Sequence, residues 1–122
     1  MSDIQACICP DHHLTLGTQI HDRWGMGTAY GRLGFLSLLK HDPEHAKTML
    51  EKSLTLFNDL GAHWDIAWAL TKLGKVAVAS EDWVEAEGLL KRAIKLSLEA
   101  HAILQAIDAA LELADCFIYQ GE

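Results

Sequence analysis

Cys7, Cys9, His12 and His13 place four potential metal ligands within seven residues. Thiolate and imidazole are the ligand types zinc takes. The Cys-x-Cys-x2-His-His spacing is tighter than structural zinc sites use, because those draw one pair of ligands from each of two separated elements, and no second pair stands at finger spacing. The expectation is a polar lead with no metal site. His21, His41, His45, His63 and His101 mostly fall at the helix ends and turns read below, where imidazole suits the helix dipole. No serine, cysteine or carboxylate is placed to orient them for base catalysis, so no catalytic residue is expected. Gly25-x-Gly27-x-x-x-Gly31 lacks both a preceding strand and a closing Gly-Lys-Ser/Thr run, so it reads as close packing within a helix and not as a phosphate cradle. Cys116, between Leu113 and Phe117, reads as a small hydrophobe. Neither a cofactor nor an enzymatic activity is expected.

Composition narrows the field further. The chain has 122 residues, 50% of them hydrophobic and 22% charged, which describes one folded domain. Ten Lys+Arg against seventeen Asp+Glu leave a net charge of −7, the wrong sign for a nucleic-acid surface. No apolar run approaches the roughly 18–20 residues that span a bilayer. Met1-Ser2-Asp3-Ile4-Gln5 has neither the basic end nor the apolar stretch of a signal peptide, and three cysteines without framework spacing suit a reducing cytoplasm. A cytoplasmic protein with no membrane partner is the expectation.

What must position any site is a repeat. Sliding 24–63 onto 64–103 gives nine identities: Trp24/Trp64, Ala29/Ala69, Leu33/Leu73, Gly34/Gly74, Asp42/Asp82, Ala46/Ala86, Leu50/Leu90, Leu56/Leu96 and Ala62/Ala102. Composition alone gives about two or three. The same offset sets Ala109, Leu113 and Ala114 on Ala69, Leu73 and Gly74, the start of a third copy.

Each copy reads as two helices. In 64–79, Ile66, Ala69, Leu70, Leu73, Val76 and Ala77 recur at spacings of three and four, one apolar helix face. Ser80-Glu81-Asp82 interrupts, and Asp82 is placed to cap a second helix carrying Ala86, Leu89, Leu90, Ala93, Ile94 and Leu96. Glu85 and Glu87 early, with Lys91, Arg92 and Lys95 later, complement its dipole. The first copy repeats the plan over 24–40 and 43–59, with Asp42 as cap, Pro43 at the first helical position and Gly61 closing the pair. Gly34 and Gly74, mid-helix at equivalent places, predict a close helix contact. Trp24 and Trp64 are expected to wedge the junction between helix pairs, whereas Trp68 has Thr28 as its counterpart and is not required by the repeat.

With its Leu33-Gly34 … Ala46 and its Leu73-Gly74 … Asp82-Trp83-Val84-Glu85-Ala86 … Lys91-Arg92-Ala93-Ile94, the chain resembles the tetratricopeptide repeat family, whose usual period is 34 residues. The forty-residue form, with Asn58-Asp59-Leu60-Gly61-Ala62-His63-Trp64 at the junction, is similar to the sensor arrays of large bacterial ATP-dependent transcription regulators. The resemblance covers about 24–122 and implies an all-α solenoid of stacked antiparallel helix pairs, a superhelix of about two and a half repeats.

The resemblance also implies a concave face lined by the first helix of each pair. In the repeat register that face carries Thr28, Gly31, Phe35 and Leu38, then Trp68, Thr71, Lys75 and Val78, then Asp108, Leu111, Asp115 and Ile118. The expected function is non-enzymatic: an interaction or scaffold module that binds a protein, a peptide or a helix in this groove, or itself. An effector-sensing fragment of a transcription regulator is the alternative, and a small metal-binding protein using the amino-terminal Cys/His cluster is the third reading.

The expected organisation is an irregular lead over 1–11, then a repeat domain over 12–122 comprising a short helix at about 12–21, repeats 24–63 and 64–103, and a half repeat 104–122. Residues Ala110, Leu113, Ala114 and Phe117 take the register places of Leu70, Leu73, Gly74 and Ala77, which pack on a second helix. With that helix missing from the half repeat, they are expected to face water and to join a second copy as a homodimer.

Overall fold

Each turn between helices is built by one device. Its second-last residue is in left-handed backbone conformation, His41 at φ 64°, Gly61 at 68°, Glu81 at 61° and His101 at 59°. The next amide then reaches back five residues: Asp42 N–H to Ser37 O at 2.9 Å, Ala62 to Phe57 at 3.1 Å, Asp82 to Ala77 at 2.9 Å and Ala102 to Ser97 at 2.8 Å. These bonds satisfy carbonyls that a helix end would otherwise leave open. Only at Gly61 is the left-handed residue a glycine, which has no Cβ to strain.

A computed structural model describes the backbone of residues 12–120 and the side chains of residues 22–120. The turns join five helices: α1 (His12–Leu39), α2 (Pro43–Leu60), α3 (His63–Ala79), α4 (Trp83–Glu99) and α5 (Ile103–Gln120). No strand occurs among the described residues. Each helix packs against its neighbours in sequence, and α3 also touches α1 and α5. The result is an all-α stack of helix pairs, α1/α2 and α3/α4, with α5 opening the next. His63 and Ile103, the first residues of α3 and α5, stand forty apart, so the period comes from helices of 17 to 18 residues joined by the short turns.

The caps follow the sequence. Asp42 accepts from the His45 amide at 3.2 Å and Asp82 from the Glu85 amide at 3.3 Å. Two details differ. The break expected between a short helix at 12–21 and a helix at 24–40 is absent, and α1 runs unbroken from His12 to Leu39. Nothing in that stretch stops a helix, since it holds no proline and its glycines only weaken the helical state. In α4, Lys91, Arg92 and Lys95 stop short of the last turn, so they do not complement the carboxy-terminal dipole.

The core lies between the pairs as three clusters. Phe57, Ile66, Ala69, Leu70, Ala93 and Ala109 form one, and Ala46, Leu50, Leu73 and Val76 another. Trp68, half-buried, packs on both. The third joins Ala77, Ala86, Leu90 and Cys116 beneath half-buried Leu113. Cys116 is fully buried, donates weakly to Trp83 O at 3.9 Å, and burial pushes its thiol pKa up. It behaves as the small hydrophobe expected.

The glycines explain how the helices approach. A Cβ on Gly34 would stand 2.6 Å from Leu50 Cγ, and one on Gly74 would stand 2.5 Å from Leu90 Cδ2. On Gly27 it would meet Phe57 at 2.8 Å, and on Gly31 it would meet Trp68 at 2.8 Å. Of the Gly25, Gly27 and Gly31 series, only Gly25 faces open space.

Candidate functional site

The first helices of successive pairs are tied along one seam by Lys72. Its ammonium lies 4.8 Å from the centre of the Phe35 ring of α1, 5.6 Å from that of Trp68 on its own helix, and 3.9 Å from Asp108 Oδ2 on α5. One turn on, Lys75 pairs with Glu112 of α5 at 3.2 Å. The α1–α3 contact therefore uses cation–π attraction where the α3–α5 contact uses ion pairs. Burial, reinforced by the neighbouring Lys75, lowers the Lys72 pKa against the opposing pull of Asp108 and Glu112.

Beside this seam, α1, the end of α2 and the start of α3 enclose a pocket of about 270 Å³. Trp24, Trp64, Trp68 and Phe57 give it aromatic walls, and Thr28, Arg32 and Asp65 add the polar groups. The Trp24 indole N–H donates to Asp65 Oδ2 at 2.9 Å and so bridges α1 to α3. Trp68 is held by its edge over Gly31, and Phe57 by its edge over Gly27, so the two missing side chains make room for two of the pocket's rings.

Of the residues expected in the groove, Phe35, Trp68, Lys75 and Asp108 meet along this seam and Thr28 lines the pocket. Leu38 and Val78 are half-buried and pack on the second and third clusters. Gly31 is buried beneath Trp68. Thr71 does not line the groove: it is fully buried, and its hydroxyl donates to Ala67 O at 2.9 Å within α3. Leu111 is exposed on the outward side of α5, one helical step away from Asp108 and Glu112, and Asp115 and Ile118 are exposed as well. The residues missed are Lys72, Glu112, Arg32 and Asp65. The forty-residue offset held a signal for two of them, because it sets Arg32 on Lys72 and Trp68 on Asp108.

The wedging expected of Trp24 and Trp64 is only partly met. Both stand at the junction, yet Trp24 is 42% exposed and Trp64 54%, so they wall a pocket more than they fill a core.

A family model described as tetratricopeptide repeat matches residues 25–99, which takes in α2, α3, α4 and most of α1. The chain belongs to the tetratricopeptide repeat family. Comparison with curated proteins and with solved structures gave no match. Tetratricopeptide repeats are typically non-enzymatic protein-interaction modules, and the seam and pocket lie on the first helices of this chain's repeats. Among the described residues no three metal-ligating side chains cluster, and no helix is long and apolar enough to cross a membrane. Cys7 and Cys9 lie outside the described residues, as do the side chains of His12 and His13.

A second surface of this tetratricopeptide repeat chain is the outward face of α5. Ala110, Ala114 and Phe117 are exposed there, while Leu113, expected to face water with them, turns half-buried onto the third cluster. In the preceding repeat, the equivalent Leu70, Gly74 and Ala77 are buried.

Proposed function

We propose that the chain works as a protein-binding scaffold and that the outward face of α5 pairs with a second copy of the chain. One observation carries this reading. Ile103, Leu104, Ile107, Leu111, Phe117 and Ile118 are each 48% or more exposed, with Ala110 and Ala114 between them, and no charged residue interrupts the stripe. By the repeat offset, Ile107, Ala110, Leu111, Ala114 and Phe117 take the places of Ala67, Leu70, Thr71, Gly74 and Ala77, all buried inside the array.

The area supports pairing. Their exposures correspond to roughly 500–700 Å² of apolar surface, at or above the roughly 300–600 Å² patch of an ordinary monomer. Two copies together would bury roughly 1,000–1,400 Å², within reach of the standard interface of about 1,200–2,000 Å². An isologous two-fold contact closes with two copies, each α5 stripe covering the other. Of the acids of α5, Asp108 and Glu112 are paired with Lys72 and Lys75 of the same chain, and exposed Asp115 lies at the edge of the stripe.

Leu111→Glu and Phe117→Glu test the reading. Both side chains are exposed in the single chain, so helicity by circular dichroism should stay as in the parent. Size-exclusion elution should move from a dimer to a monomer. Unchanged elution of both variants, with helicity intact, would rule out this face as the contact.

A further inference from the structure

The aromatic pocket between α1 and α3 differs from the equivalent place between α3 and α5 in one respect that points to a ligand. At the second seam the cation Lys72 of the earlier helix has Asp108 of the later one at 3.9 Å. At the first seam the equivalent cation is Arg32, and the equivalent of Asp108 is Trp68, so the carboxylate is replaced by an aromatic wall. Among the described residues Arg32 has no ion pair, and its side chain is exposed. The carboxylate that does line the pocket, Asp65, already accepts the Trp24 indole N–H at 2.9 Å. The cavity thus combines rings with an uncommitted guanidinium, which is the composition of an interface hot spot. Its volume, about 270 Å³, falls below the roughly 300–1,000 Å³ of small-molecule sites and suits a single large side chain.

We infer that this pocket holds one large apolar side chain, aromatic by preference, from a partner polypeptide whose adjacent residue carries a carboxylate onto Arg32. The rings bury the apolar group, and Trp24, Trp64 and Trp68 present faces and edges for offset or edge-to-face contact. The planar guanidinium takes a carboxylate through two parallel N–H donors and selects acid over amide. A cationic neighbour is disfavoured, since Arg32 repels it. The inference rests on the reading of the chain as a protein binder but shares no residue with the α5 face.

The test is a titration of the full chain, isotopically labelled, with acetyl-Phe-Glu-amide, following the four indole N–H signals by NMR. Signals of Trp24, Trp64 and Trp68 should shift, while Trp83, on α4 and outside the pocket, should not. Replacing Glu by Gln in the dipeptide, or Arg32→Ala in the protein, should weaken binding about three- to tenfold. Acetyl-Ala-Glu-amide should bind too weakly to saturate. No pocket signal moving at millimolar dipeptide would overturn the inference, and so would equal binding of the Gln or Lys dipeptide. Either result would leave the α5 reading untouched, because a light-scattering mass on the same sample reports that contact separately.

Discussion

Leu90 occupies the space that a side chain at Gly74 would need. The leucine is fully buried, and a Cβ on Gly74 would lie 2.5 Å from its Cδ2 and 2.6 Å from its Cγ. Gly34 repeats the relation with Leu50, there with the Ala46 carbonyl oxygen also 3.1 Å away. The glycine of the Leu-Gly pair is therefore a requirement of helix contact, and its cost in mid-helix, up to about 1 kcal/mol, is offset by the approach it permits.

Gly74→Leu should destabilise the chain by about 1–3 kcal/mol through overpacking. Gly88 supplies the contrast: it lies in α4 with nothing within 4 Å of a built Cβ. Gly88→Ala should stabilise by about 0.4–1 kcal/mol, since alanine fits the same backbone and restricts the unfolded chain. Denaturant unfolding of the pair checks both. Equal midpoints for parent and Gly74→Leu would remove the packing role.

Lys72 gives a dependence on pH with a definite sign. Its pKa is held below the ordinary 10.5, first by burial and then by Lys75. Between the lowered value and 10.5 the unfolded chain binds more protons than the folded one, so this group's contribution to stability rises as pH rises through that window. Cys116 acts oppositely above 9.0, because its buried thiol keeps a proton that the unfolded chain loses. Comparing the parent with Lys72→Met cancels the cysteine. The parent's stability relative to Lys72→Met should climb as pH rises toward 10.5 in chemical unfolding. A flat or falling difference would contradict the burial of the charge.

The repeat made most of the fold legible. Asp42, Asp82, Pro43 and Gly61 mark helix ends by local chemistry that needs no tertiary contact, and they do so in the structure. The unbroken α1 was not legible, because the repeated copies begin only at Trp24, whereas no residue before it ends a helix. The groove was read one step off in places. Thr71 and Lys72 are neighbours in sequence, and periodicity alone does not say which of the two a third helix covers. The structure buries Thr71 and sets Lys72 over the Phe35 ring. Leu113 turned inward for a similar reason: Cys116, Ala77 and Leu90 make a cluster at the end of the stack that only the relative placement of α3, α4 and α5 creates.

Salt should strengthen the proposed pairing. Residues 81–122 carry nine acids (Glu81, Asp82, Glu85, Glu87, Glu99, Asp108, Glu112, Asp115, Glu122) and three bases (Lys91, Arg92, Lys95), a net of −6. Two such ends repel, and ionic strength screens that repulsion over about 10 Å at 0.1 M and about 3 Å at 1 M. The dimer dissociation constant from sedimentation should therefore fall as salt is raised. A constant that rises with salt would mean attractive ion pairs across the contact, not an apolar stripe with acids at its rim.

Sedimentation equilibrium of the full chain over a dilution series reads the pairing of α5 itself. At tens of micromolar, with helicity unchanged, the mass should be twice that of one chain and should fall toward one chain on dilution, and the Leu111→Glu variant should stay at one chain throughout. An invariant single-chain mass for the parent across the series would contradict the pairing of α5 with a second copy.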